Sequence, residues 1–163
     1  MTLGIDPGYG RTGYAFVTPD GQRYALHAHG VIETPAGKTI AERLSMLYTK
    51  LDSLIAEHKP DEASIEELFF SKNTKTAIAV AEARGVILLA LTQRGVPIFE
   101  YTPNEVKVSV AGSGRATKPQ IARMLPLLFG GRTITQDDTA DAAAAAVTHI
   151  SRGAVLRAIG RAR

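Results

Sequence analysis

The sequence predicts an α/β fold: a five-stranded mixed sheet flanked by helices on both faces. Three observations carry this reading. The chain opens with three strand-like runs joined by short turns. Helical and strand-like segments then alternate. One of the helical segments shows the three-and-four spacing of apolar residues that marks a single buried face.

Leu3 and Ile5 mark a buried strand over 2–6. Asp6 comes where that strand should stop, and Pro7, Gly8, Gly10 and Gly13 follow it, so the chain turns sharply into a second strand over 13–18. "PDG" then joins this strand to a third over 23–33. In "TIAERLSMLYTKLDSLIAEHK" the residues Ile40, Leu44, Leu47, Leu51 and Leu54 form the apolar stripe of a helix. "DEASIEELF" reads as a central strand, "KTAIAVAEARGVILLALTQRG" as a long helix ending at Gly95, and "VPIFEY" as a further strand. "TPNEVKVSVAG" and "TKPQIARMLPLLFGG" are short helices, each opened by a Thr cap. "TQDDTADAAAAAVTHISRGAVLRAI" is a last helix running almost to the end. No internal repeat or linker divides the chain, so one domain over 1–163 is expected, with a basic tail from about residue 151.

With 163 residues and 45% hydrophobic content the chain can bury one substantial core. The absence of cysteine excludes a disulfide scaffold and cysteine-based zinc sites. The most apolar stretch, "GVILLAL", falls well short of the roughly 20 residues of a membrane span. The first strand begins at once, with no basic and then apolar leader, so a cytoplasmic protein without membrane attachment is expected. The net charge of +3 is unevenly spread: residues 1–81 hold eight Lys/Arg and ten Asp/Glu, residues 82–163 eleven and six. The second half therefore leans towards a polyanion.

Three groups of acids stand out. Asp6, at the end of the first strand, is either a turn former or a ligand. Glu66 and Glu67 end the central strand; adjacent strand residues point to opposite faces, so at most one of them serves a given site. In "QDDTAD", Asp138 with Asp141 or Asp137 with Asp141 shares one helix face. Thr135 to Asp138 also fits a helix cap, which gives the first two acids of that cluster a purely structural alternative. The small residues after Asp141 allow the helix to lie close against the sheet and bring that acid near the strand ends. Several carboxylates buried together repel unless a cation neutralises them. An all-oxygen set suits magnesium or manganese, and four carboxylates have room for two ions, which would hold the attacking and leaving oxygens of a phosphodiester in line.

"GIDPGYGRTGYA", "IEELFFSKN", "EARGVILLA", "FEYTPNEVK" and "DDTADAAAAAVTH", in this order and spacing, resemble the RuvC family of bacterial Holliday junction resolvases, which have a ribonuclease H-like fold. The resemblance runs from residue 2 to about 150. It carries the catalytic, metal-holding acids onto Asp6, Glu66, Asp138 and Asp141, a DNA-contacting aromatic onto Phe69, and phosphate-contacting lysines onto Lys107 and Lys118. Phe70, Lys72 and Arg115 complete the expected DNA contacts. Glu67 departs from the family, which often has an uncharged residue there. The implied activity is magnesium-dependent nicking of two strands of like polarity in a four-way junction during recombinational repair, leaving 5′-phosphate and 3′-hydroxyl ends. Two ions per site are expected, with manganese as a substitute. The implied partners are the junction, a second copy of the chain, and the branch-migration proteins RuvA and RuvB.

Two rival functions fit parts of the sequence. The Gly-rich hairpin also suits an ATP-handling protein of the actin and sugar kinase type, but that fold needs a second half which 163 residues cannot supply. A non-catalytic junction-binding protein has no use for four convergent acids, which repel phosphates. His149 is expected to be structural and the alanine run to serve close packing. The candidate dimer surface is the helix at 75–94, through Ala77, Ala79, Ala81, Ala83 and Gly85.

Overall fold

The computed structural model describes the backbone of residues 1–67 and 74–161 and the side chains of 1–67 and 77–153. Phe69, Phe70 and Lys72 lie outside the described residues. Five strands are present, β1 (Thr2–Asp6), β2 (Arg11–Asp20), β3 (Arg23–Glu33), β4 (Glu62–Glu66) and β5 (Ile98–Tyr101), in the spatial order β3-β2-β1-β4-β5. β1 is antiparallel to β2 and parallel to β4, so the sheet is mixed, and β1 sits at its centre with Asp6 at its carboxyl end. The second strand starts two residues earlier than expected, because Arg11 pairs with Glu33 and Thr12 with Ile32 before Gly13 meets Asp6.

The helices are α1 (Ile40–His58), α2 (Thr74–Gln93), α3 (Pro103–Ala111), α4 (Lys118–Leu128) and α5 (Asp137–Arg161). Thr39 and Thr102 cap α1 and α3 by accepting from the N–H groups of Glu42 and Glu105, whose side chains reach back to the cap. At Thr117 the reciprocal partner is Gln120, whose Oε1 accepts from the Thr117 N–H at 2.8 Å. The Thr135 cap expected for α5 is absent among the described residues: the helix opens at Asp137, and the Thr139 hydroxyl donates to Gln136 Oε1 at 3.3 Å.

The buried stripe of α1 is Arg43, Leu47, Leu51 and Ile55, offset from the expected one, and Ile40 is exposed. Arg43 tolerates burial because its Nε donates to Thr34 Oγ1 at 3.1 Å and its guanidinium lies 4.3 Å from the Tyr9 ring centre. Strand alternation divides the core into two clusters. Leu3, Ile5, Phe16, Ala63 and Ile65 pack against α1 and α2, whereas Ala15, Val17 and Leu26 pack against α3, α4 and α5. Both faces of the sheet are thus covered by helices.

Candidate active site

The alternation that buries Leu3 and Ile5 on one face turns Gly4 and Asp6 to the other. The same parity in β4 turns Glu62, Ser64 and Glu66 towards α5: Ser64 donates to the Ala145 carbonyl at 2.7 Å, and Glu62 meets His149 at 2.6 Å. Glu67 falls on the opposite parity, and its N–H extends the ladder to the Tyr101 carbonyl at 2.8 Å. Gly4 and Gly13 allow α5 to rest directly on the sheet. A Cβ at either would stand 1.9 Å from a helix carbonyl, that of Ala142 or that of Asp138. Ala142 to Ala146 are buried against this contact, as the alanine run led us to expect.

The first turn of α5 therefore meets the carboxyl ends of β1 and β4. Asp138 and Asp141, three apart, are half-buried, whereas Asp137 is largely exposed. Burial pushes the Asp6 carboxyl up to about 7, with Asp141, Glu66 and Asp138, in that order, adding to the effect. Burial also raises Glu66 and Asp141; Lys118 and Lys107 oppose the rise at Glu66, and Lys118 opposes it at Asp141. Lys118 Nζ lies 3.3 Å from Asp141 Oδ2 and 4.0 Å from Asp137 Oδ2, and Asp141 holds the ammonium above its ordinary range. A cavity of about 370 Å³ between α3, α4 and α5 is bordered by Glu66, Lys107, Lys118, Asp137 and Asp141 over an apolar floor.

No three acidic or histidine side chains among the described residues stand close enough together to grip one ion. Two basic neighbours engage the acids instead. Arg11 Nε holds Asp138 Oδ2 at 2.7 Å and its Nη1 bonds Glu33, while Lys118 holds Asp141. The donor chemistry nevertheless fits a hard dication. Every candidate donor is a carboxylate oxygen, and burial together with the neighbouring carboxylates pushes Asp6 up to about 7, a shift that a bound cation would oppose.

Arg11 was not anticipated as part of the site. Its only signal is a β2–β3 pairing that places it opposite Glu33, and sequence does not reveal such a long-range register. His149 is structural, as expected: its ring nitrogens bond the Tyr101 hydroxyl at 2.8 Å and Glu62, tying α5 to β5 and β4. Arg115 does not border the carboxylate cavity; it lines a neighbouring one.

The family model for the crossover junction endodeoxyribonuclease RuvC matches residues 2–149. RuvC of Brachyspira hyodysenteriae is 52% identical over 159 residues, 98% of this chain and 99% of that protein. RuvC of Petrotoga mobilis is 49% identical over 150 residues, 91% and 92% of the two chains. A solved structure of Thermus thermophilus RuvC in complex with a Holliday junction substrate superposes with a TM-score of 0.88 at 29% identity over 93% of each chain. The yeast mitochondrial Holliday junction resolvase shares the fold, with a TM-score of 0.70 at 16% identity over 96% of this chain and 80% of that one. The ribonuclease H-like sheet, the family match and near-full-length relatives agree, and the chain belongs to the RuvC family of crossover junction endodeoxyribonucleases.

Proposed function

We propose that two copies of this chain, each a single nuclease domain over 1–163, resolve four-way DNA junctions in the cytoplasm by nicking two strands of like polarity, alongside RuvA and RuvB. The observation that carries the reading is the Asp6 carboxyl at the end of β1, raised to about 7 by burial and by the nearby charges of Asp141, Glu66 and Asp138 from α5 and β4. These four residues would hold magnesium, as two ions or with manganese as substitute, which when bound supplies Lewis-acid polarisation of the phosphate and an acidified water. Asp6 is the deepest in the charge cluster, and its protonation at low pH removes the charge the site depends on. Lys107 and Lys118, on the cavity rim, bind phosphate oxygens of the strand to be cut. Phe69 and Phe70 follow the β4 carboxylates in sequence and stack on bases opened at the crossover, with Lys72 and Arg115 on flanking phosphates. Hydrolysis leaves 5′-phosphate and 3′-hydroxyl ends.

The dimer reading rests on α2. Ile78, Gly85 and Leu89 recur at helical spacing on one exposed face, and Ile78 and Leu89 are 62% and 50% exposed. Ala83, expected at that surface, is fully buried on the core side, and Ala81 is half-buried. A two-fold pair matches the approximate symmetry of the junction, since one site must act twice.

A labelled junction incubated with protein and magnesium, beside a linear duplex of the same arms, tests the function. The wild type is expected to nick the junction in paired strands and spare the duplex. Asp6→Asn, Glu66→Gln and Asp141→Asn should bind junctions yet lose more than about a thousandfold in cleavage, about 4 kcal/mol of barrier. Asp137→Asn should be mild. Equal cutting of duplex and junction, or an amide variant at wild-type rate, overturns the reading.

A further inference from the structure

A second cavity, of about 470 Å³, lies beside the carboxylate site and is lined by Ala111, Ser113, Arg115, Gln120, Arg123 and Met124 among others. No acidic residue lines it. The two cavities share α4 but use opposite faces. Lys118, Ile121, Ala122 and Leu125 face the carboxylates, and Gln120, Arg123 and Met124, about half a turn round, face the second cavity.

The backbone that carries this concavity is fixed by local packing. Gly112 ends α3 in the left-handed conformation with φ 72°. Gly114 packs so closely on the start of α3 that a Cβ there would stand 2.1 Å from Asn104 Oδ1. The Arg115 N–H donates to Ser113 Oγ at 3.3 Å, and the buried Ala116 anchors the loop from below. Arg115 is thus projected from a fixed turn. Across the cavity, Arg123 Nε donates to the Pro119 carbonyl at 3.2 Å, which ties that side chain along α4 and leaves its terminal nitrogens to a ligand.

We infer that Arg115 and Arg123 form a second phosphate site, separate from the catalytic cavity, that grips the DNA backbone. The inference rests on the resolvase reading above. The chemistry is that of two planar forks bordering one cavity free of lining acids, and guanidinium geometry is well suited to a tetrahedral anion. The site lies on the face of α4 away from the carboxylates, so it would hold backbone phosphates at a point separate from the catalytic cavity.

The test is junction binding without divalent metal across a salt series, using a fluorescent four-way junction and its linear-duplex counterpart. Replacing both residues, Arg115→Ala with Arg123→Ala, is expected to weaken junction binding more than about tenfold. It should also flatten the dependence of log affinity on log salt by about one for each arginine removed from the complex. Arg115→Lys with Arg123→Lys should restore most of the slope. Lys38→Ala with Lys50→Ala removes equal charge from α1 and its approach on the opposite face of the sheet, and should leave the slope unchanged. A double alanine variant with wild-type slope overturns the site even if affinity drops. If it melts early, Arg123→Gln alone, at an exposed helix position, must still lower the slope by about one per arginine lost, and an unchanged slope there overturns the site equally. A wild-type protein that shows no preference for junction over duplex overturns the resolvase reading itself, and this site with it.

Discussion

The two faces of the sheet are packed by opposite means. On the α5 face the contact is backbone to backbone: Gly4 and Gly13 lie under helix carbonyls, Ala142 to Ala146 fill the seam, and Ser64 bonds the helix at Ala145. On the α1 and α2 face the contact is made by large side chains, Leu3, Ile5 and Phe16 against Leu47, Leu51, Ile87 and Leu91. A seam of glycine and alanine has no rotamers to adjust, so it fixes the helix, and with it Asp138 and Asp141, relative to Asp6 and Glu66. A seam of leucine and isoleucine can repack and gives stability without setting the spacing of those carboxylates.

The largest expected effect exploits this difference directly. Gly4→Val should cost about 3 kcal/mol, because its side chain has no room beneath the Ala142 carbonyl. Leu47→Ala, on the other face, should cost a similar amount, about 3 kcal/mol, by leaving a cavity. The two separate in cleavage per folded molecule, assayed well below both melting points. It should fall at least about tenfold for Gly4→Val, equivalent to about 1.4 kcal/mol of barrier, and stay near wild type for Leu47→Ala. Equal specific activities would mean that the seam does not position the acids.

A smaller effect concerns charge on the α5 face. The folded Asp6 carboxyl titrates near 7 and the unfolded one near its ordinary 3.8, so the folded state retains a proton that the unfolded state has lost. This contribution to stability is fully present below pH 4 and is lost as pH rises through about 7. In metal-free buffer the wild type should therefore lose stability from this source between those limits. Asp6→Asn should lack that part of the dependence and be more stable at pH 8 by on the order of 2 kcal/mol. Chemical denaturation at a series of pH values reads both; parallel curves for wild type and variant would remove Asp6 as the source.

The smallest change in stability belongs to the other face. Leu89→Arg, at an exposed position of α2, should alter stability by less than about 0.5 kcal/mol. It should nevertheless convert a sedimenting dimer to a monomer and reduce paired nicking. A variant that still sediments as a dimer would move the interface off α2.

The fold was legible because its signals are local. Turn residues after Asp6 and at "PDG", the alanine run, and threonine caps three residues before Glu105 or Gln120 each fix one element by short-range chemistry. Strand parity alone leaves Glu66 and Glu67 open, and the family resemblance points to Glu66; the placement of β4 turns the Glu66 parity towards α5. What escaped the sequence was pairing across the fold. Arg43 reads as a surface cation until Thr34 and Tyr9 are seen to receive it, and its burial shifts the α1 stripe away from Ile40. Arg11 reads as a turn residue until the β2–β3 register brings it to Glu33 and Asp138. Such contacts link residues up to 127 positions apart, and no local pattern encodes them.

The carboxylates come from opposite ends of the chain. Asp6 is set by the first strand, and Asp138 and Asp141 by the first turn of the last helix, which lies across β1 and β2. A chain emerging from the ribosome thus exposes Asp6 early but cannot assemble the cluster until the last helix has emerged and seated on the sheet. Until then the carboxyl ends of β1 and β4 stay uncovered, and a chain that ends before residue 137 lacks both Asp138 and Asp141 and the helix that packs on Gly4 and Gly13.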